Sequence, residues 1–148
     1  MVGQLKPAEL ATETAALGYL YNIAVLAVER NNHGHAVLQE LQRVSLAENK
    51  RPYPRLFLDV DQKPGWNSVE VRRTAAVDAF EQAHRLGHWT TRDREIVAEI
   101  DTFVINKDGK AEAQRGSRDD LVMMAVIGWD VLRRHVAPPP YRSLSTSL

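Results

Sequence analysis

Two groups of carboxylates stand out in this sequence, and they lie far apart along the chain. Glu29 directly follows six apolar residues, 23–28, whereas Asp119 and Asp120 stand side by side in the last quarter. Carboxylate oxygens are the ligands that Mg²⁺ and Mn²⁺ prefer. Pairs of such ions, about 3.5–4 Å apart, cleave phosphodiesters. Glu29, Asp119 and Asp120 are therefore candidate metal ligands and catalytic residues, although two-metal cleavage needs at least one further bridging acid.

Each acidic group also has a structural interpretation. Glu29 could be a solvated strand end that pairs with Arg30. The twin aspartates could be first-turn acids of a helix capped by Ser117, because the helix dipole favours negative charge there. Against these interpretations, a twin acid exceeds what a cap requires, and the turn after Glu29 (residues 30–34) is rich in hydrogen-bonding groups.

A modest basic region lies between the two acidic groups. Residues 43–73 contain seven Lys or Arg against four Asp or Glu. Such a run is typical of a solvated surface, but it also offers phosphate contacts. Because 19 basic residues balance 19 acidic ones, any DNA contact must come from local groups. The candidate DNA-binding residues are Arg30, Asn32, His33, Lys63 and Arg73.

Several other chemistries are disfavoured. The chain has no cysteine, and the spacing of His33 and His35 matches no zinc motif. It contains neither a phosphate-binding P-loop nor a GxSxG nucleophile elbow. No apolar run approaches the roughly 20 residues that cross a bilayer, and the N-terminus does not resemble a signal peptide. These features favour a cytoplasmic protein without a membrane segment.

Alternating helix and strand patterns predict an α/β fold in the first half. Residues 23–28 lack polar alternation, which predicts a strand buried on both faces, and residues 56–60 predict a second strand. A helix precedes each strand, so the order predicts parallel pairing with right-handed crossovers. The first helix begins at Pro7 with an apolar face, and the second follows the polar turn; the residues concerned are Leu10, Thr14, Leu17 and Tyr21 in the first, and Val37, Leu38, Leu41 and Val44 in the second.

The second half predicts three more helices and a hairpin. Asn67 and Glu70 have capping-box spacing for a third helix that Gly87 ends, and Thr91 caps a short fourth helix. Residues 102–105 and 110–114 predict a β-hairpin, and the last helix spans about 118–136. The whole predicts one domain, residues 1–137, followed by a flexible tail, residues 138–148.

Three strings of sequence, taken together, resemble the nuclease domain of phage terminase large subunits. The likeness runs from about residue 6 to 136 and implies a ribonuclease H-like mixed sheet flanked by helices. It also implies Mg²⁺- or Mn²⁺-dependent cleavage of concatemeric double-stranded DNA during genome packaging in a bacterial host. The strings are Ala27-Val28-Glu29-Arg30-Asn31-Asn32-His33-Gly34, Gly65-Trp66-Asn67-Ser68 and Gly116-Ser117-Arg118-Asp119-Asp120-Leu121-Val122-Met123.

The resemblance assigns Glu29 to the family's second acidic position and Asp119 or Asp120 to the third, with Arg73 near the family's arginine. Residues 69–72 and 117–118 depart from the usual sequence motifs of the family. The family's first catalytic aspartate belongs to a strand that precedes the first helix, and residues 1–6 supply no such strand. We therefore expect a truncated terminase nuclease, also lacking the ATPase domain, that is inactive or weak alone.

Two further hypotheses remain open. The chain could be half of a split nuclease, in which another polypeptide supplies the missing strands and aspartate and covers an exposed sheet edge at residues 23–28; a homodimer could cover the same edge instead. Alternatively, it could be a non-catalytic DNA-binding or assembly module that uses residues 43–73.

Overall fold

The computed structural model describes residues 5–43, 52–105, 111–114 and 116–135. Within these ranges the chain is a mixed α/β structure with five helices and a two-stranded antiparallel sheet, so the predicted α/β class is confirmed. The chain divides into two compact units, residues 1–75 and 76–148; a single domain over residues 1–137 stays a prediction. No helix in the described ranges has the length and apolarity to span a bilayer.

Helix α1 (Pro7–Leu20) begins where the sequence predicts, with Pro7 at its first position and Glu9 accepting the Lys6 N–H at 3.0 Å. Its predicted apolar face is wrong. The small side of the helix is buried, whereas Leu10 and Leu17 are 41% and 52% exposed. Small side chains allow another backbone to approach closely, so this side packs on the core; its residues are Ala11, Ala15 and Gly18.

Helix α2 (Asn32–Arg43) packs against α1 as part of one hydrophobic core. Its predicted apolar residues Val37, Leu38 and Leu41 are buried, and the fourth, Val44, lies outside the described residues. The core of this unit also includes Tyr53, whose hydroxyl donates to the Ala24 carbonyl oxygen at 2.6 Å. A Cβ on Gly18 would overlap the Tyr53 ring, so the small side of α1 is what admits this tyrosine.

An extended segment, residues 24–30, replaces the regular buried strand predicted at 23–28. It forms two isolated parallel bridges, Leu26 with Leu56 and Glu29 with Trp66, so the predicted parallel pairing is confirmed. Burial on both faces is wrong, because residues 24–30 are only half-buried. Ile23 adopts a left-handed φ of 56°, which delays the start of the extended segment.

The second predicted strand is also a set of short bridges. Residues 56–58 pair with the segment 24–30 and fold back on Pro64 through an antiparallel bridge at Leu58. Side chains alternate along this stretch: Phe57 and Asp59 are buried, and Leu58 and Val60 are exposed.

Helix α3 (Glu70–Arg85) starts later than its predicted cap. Asn67 does not cap it; the Asn67 backbone N–H donates instead to Asp59 Oδ2 at 2.8 Å. The predicted end is confirmed, since Gly87 has a φ of 71° and its N–H donates to the His84 carbonyl. This left-handed glycine closes the helix in the usual way.

Helix α4 (Arg94–Thr102) is capped by Asp93 rather than by the predicted Thr91. Asp93 accepts the Glu95 and Ile96 N–H groups at 2.8 and 3.3 Å. Strands β1 (Phe103–Ile105) and β2 (Ala111–Ala113) then pair antiparallel, which confirms the hairpin. Its tip, residues 106–110, lies outside the described residues, as does the predicted tail after helix α5 (Asp120–His135).

Candidate metal-binding and DNA-contacting residues

The residues after Glu29 build a tight turn from the extended segment into α2. Asn31 Oδ1 accepts the Gly34 N–H at 2.8 Å, which caps the helix. The amide of the same residue donates to Glu29 Oε2 at 3.3 Å. A Cβ on Gly34 would overlap the Glu29 carbonyl oxygen, so only glycine fits. The turn therefore holds the Glu29 carboxylate beside the first turn of α2.

Glu29 forms no ion pair with Arg30 in the part of the chain that the structure describes. Its carboxylate is half-buried and, among the described residues, is bonded to Asn31 alone. The neutral Asn31 amide bonds to one Glu29 oxygen and does not neutralise the carboxylate, so its negative charge can attract a cation. The donor chemistry of Glu29 thus fits a hard divalent cation.

Arg30 instead joins a buried ionic network around Asp59, which is 1% exposed. Arg72 Nη1 lies 2.5 Å from Asp59 Oδ1, and Arg30 Nη2 lies 2.8 Å from Asp61 Oδ2 and 4.0 Å from Asp59 Oδ2. Asp59 also accepts the N–H groups of Val60 and Asn67. The hydrogen bond from the Arg30 guanidinium holds the pKa of Asp61 below its ordinary value.

The Gly-Trp string lies directly against the Glu29 string. The Trp66 N–H donates to the Val28 carbonyl, and the Arg30 N–H donates to the Trp66 carbonyl, both at 2.8 Å. Trp66 is fully buried, and the Arg72 guanidinium carbon lies 5.8 Å from its ring centroid, within the range of a cation–π contact. Two of the three strings that carry the family resemblance therefore form one structural assembly.

The predicted DNA-contacting residues differ in their access to solvent. His33 and Lys63 are exposed, whereas Arg73 is half-buried and the Arg30 side chain is only 9% exposed. Asn32 begins α2. The interpretation of residues 43–73 as a solvated surface is wrong for Asp59, which the ionic network buries. DNA contact by the five residues stays a prediction.

The twin aspartates lie at the start of α5, but a remote acid caps that helix. Glu99 Oε2 in α4 accepts the N–H groups of Leu121 and Val122 at 2.7 and 3.1 Å. The predicted cap by Ser117 is wrong: its hydroxyl makes no hydrogen bond within the described ranges. Asp120 is exposed and, within those ranges, has no hydrogen bond or ion pair. The fold therefore does not require Asp120 as a cap.

Sequence reasoning missed both Asp59 and Glu99. A signal for Asp59 existed, since it lies two residues after Phe57 and so shares the inward face of that short stretch. The sequence signal for Glu99 was weaker. Glu99 lies between the apolar residues Ile96 and Ile100 of a short helix, but no local pattern links it to the start of a helix more than 20 residues later.

The described residues contain no group of three or more His, Asp or Glu side chains suited to a metal ion. The candidate ligands have the right donor type for Mg²⁺ or Mn²⁺, but their number falls short of a two-metal centre. The ligand set Glu29, Asp119 and Asp120 stays a prediction.

In comparisons with known proteins, no family model, no curated protein and no solved structure matched this chain. The resemblance to terminase nucleases therefore rests on the three strings of sequence.

Proposed function

We propose that this chain is part of a phage terminase large-subunit nuclease with a ribonuclease H-like fold. Its reaction is metal-dependent cleavage of concatemeric double-stranded DNA during genome packaging, in the cytoplasm of a bacterial host. The observation that supports this best is the pairing of Glu29 with Trp66. Two strings that are distant in sequence meet there, and Glu29 is the carboxylate that their assembly holds in place.

In this proposal Glu29, Asp119 and Asp120 would hold Mg²⁺ or Mn²⁺, and the ion would supply activation of water and stabilisation of charge on the phosphate. Two other residues position these carboxylates: Asn31 donates a hydrogen bond to Glu29, and Glu99 caps the start of α5. Exposed Lys63 and His33 contact DNA phosphates, with Arg30, Asn32 and Arg73 as further contacts. Because three carboxylates are too few for a two-metal centre, the chain alone cuts weakly or not at all.

Nicking of supercoiled plasmid in Mn²⁺ tests this proposal. We expect a rate barely above that of Glu29→Ala, and the same low rate for Glu13→Ala, a matched control in which an exposed acid of α1 is removed. Robust nicking that Glu29→Ala abolishes would overturn the expected weakness. Robust nicking that survives Glu29→Ala would overturn the assignment of Glu29 itself.

A non-catalytic DNA-binding or assembly module is the alternative function. It is favoured by the lack of a three-ligand metal group among the described residues. Such a module would bind DNA without metal, its affinity would fall steeply with salt, and Lys63→Ala would reduce the salt slope. Absent or salt-insensitive binding would exclude it.

A further inference from the structure

The extended segment 24–30 uses only one of its two edges for backbone hydrogen bonds. Leu26 bonds through its N–H to Arg55 and through its carbonyl to Phe57, and the next residues on that edge bond to Trp66. Alternate residues of an extended chain direct their backbone groups to opposite edges. Val25 and Ala27 therefore face the second edge, and neither has a backbone hydrogen bond within the described residues.

This open edge is two residues long. At one end, Ile23 turns into a left-handed conformation. At the other end, Gly34 packs against the Glu29 carbonyl oxygen and covers it. Between these limits the segment has no proline, lysine or bulge, the devices that usually prevent an edge from pairing with another chain. Val25 and Ala27 are half-buried rather than covered.

The end of α1, which precedes the extended segment in the sequence, carries exposed apolar residues. Leu17 is 52% exposed, Leu20 76%, and Tyr21, immediately after the helix, 71%. Ile23, which leads into the extended segment, is 39% exposed. Exposed apolar residues grouped in this way are a candidate interaction surface.

We propose that this chain forms a homodimer in which the two open edges pair antiparallel. Val25 lies opposite the partner subunit's Ala27, and Ala27 lies opposite the partner's Val25. This register uses all four open N–H and carbonyl pairs. A shift in one direction leaves Ala27 facing the left-handed Ile23, and a shift in the other requires the covered carbonyl of Glu29.

A second copy fits this edge because edge and helix face are both self-complementary. The twofold axis of an antiparallel pair runs perpendicular to the sheet, so each α1 lies on the same side as the partner's α1. The exposed apolar faces then pack on each other. The two Glu29 carboxylates lie at opposite ends of the pairing and do not repel. This dimer does not depend on the nuclease assignment.

Sedimentation equilibrium of the whole chain tests the dimer. The wild type should be dimeric, and Leu17→Glu should weaken association at least about tenfold, because it places a charge in the apolar contact. Val71→Glu is the matched control: Val71 is 83% exposed on α3, and its variant should associate like the wild type. A monomeric wild type at its highest soluble concentration, or equal weakening by Val71→Glu, would overturn the proposal.

Disulfide trapping tests the register, since the chain has no native cysteine. Leu26 faces its own copy across the axis, at the roughly 4.5 Å Cα separation of a non-hydrogen-bonded pair, which a disulfide can span. Leu26→Cys should therefore cross-link, and Ala27→Cys, opposite the partner's Val25, should not. The reverse pattern would overturn this register. Should Leu26→Cys fold poorly, the Leu17→Glu measurement decides; a monomer whose edge is filled only by another polypeptide also overturns the dimer.

Discussion

The two acidic regions are built differently. Around Glu29 nearly every neighbour has a structural role, since Asn31 caps α2, Gly34 admits the Glu29 carbonyl, and Arg30 binds Asp61. At the start of α5 the cap comes from a distant residue, Glu99, and Asp120 has no bond within the described residues. The turn after Glu29 is formed by hydrogen bonds between residues close in sequence, whereas the start of α5 is capped by a residue more than 20 positions away.

This difference separates what a motif does for the fold from what it does for chemistry. The Glu-Arg-Asn-Asn-His-Gly string is accounted for in large part by strand–turn–helix geometry, so its presence alone is modest evidence for catalysis. Asp120 is less well explained by the fold, because Glu99 already accepts the N–H groups of Leu121 and Val122 at the start of this helix.

The largest effect is expected from Gly34→Ala. A Cβ there would meet a backbone oxygen, which no side-chain rotation relieves, so the loss of unfolding free energy should exceed the roughly 1–3 kcal/mol typical of overpacking. Gly128→Ala is the matched control, since its Cβ meets nothing within 4 Å; it should gain roughly 0.5–1 kcal/mol. Urea unfolding measures both. Equal stability of the two variants would contradict the local account of the first region.

Asp59→Asn should have the next largest effect. It removes the charge that faces Arg72 and Arg30 in a fully buried site, and leaving such buried donors unsatisfied costs about 1–3 kcal/mol. Asp78→Asn, at an exposed carboxylate without a bond in the described residues, is the control and should change little. Thermal unfolding of the two variants gives the comparison. Similar small shifts for both would mean that the ionic network does not anchor the Glu29 assembly.

Glu99→Ala should have a smaller effect, about 0.5–2 kcal/mol, the usual range for loss of a helix cap. Amide hydrogen exchange should show the loss at Leu121 and Val122, whose N–H groups Glu99 accepts. Ser117→Ala is the control and should leave exchange unchanged. Faster exchange in Ser117→Ala than in Glu99→Ala would restore the local cap and remove the contrast between the regions.

Local patterns predicted much of the fold. Pro7 marked the start of α1, Gly87 the end of α3, and the spacing of apolar residues the buried side of α2. The same spacing failed on α1, because a helix with apolar residues on two sides does not state which side is buried. In α1 the side with the smaller residues is buried, because small side chains allow the closest packing.

The candidate ligands were chosen from the sequence by residue type and stay a prediction, whereas the residues that position them were missed. The sequence marked Glu29 and the twin aspartates, yet Asp59 and Glu99 were missed. Asp59 is stabilised by arginines from two other segments, Arg30 and Arg72, and Glu99 by a helix start that follows the hairpin. Such contacts join residues far apart in the sequence, and local sequence patterns do not identify them. Residues 23–28 were likewise predicted as a strand buried on both faces, and residues 24–28 are only half-buried.

Glu29, Asp119 and Asp120 are the residues that we propose as metal ligands. Mn²⁺ binding, followed by electron paramagnetic resonance, tests this assignment in the wild type, in Glu29→Gln, in Asp119→Asn with Asp120→Asn, and in the triple variant. We predict weak Mn²⁺ binding that Glu29→Gln and the double change at Asp119 and Asp120 each reduce, and that the triple variant loses. Mn²⁺ binding left unaltered by Glu29→Gln, or by the double change, would contradict the proposed ligands.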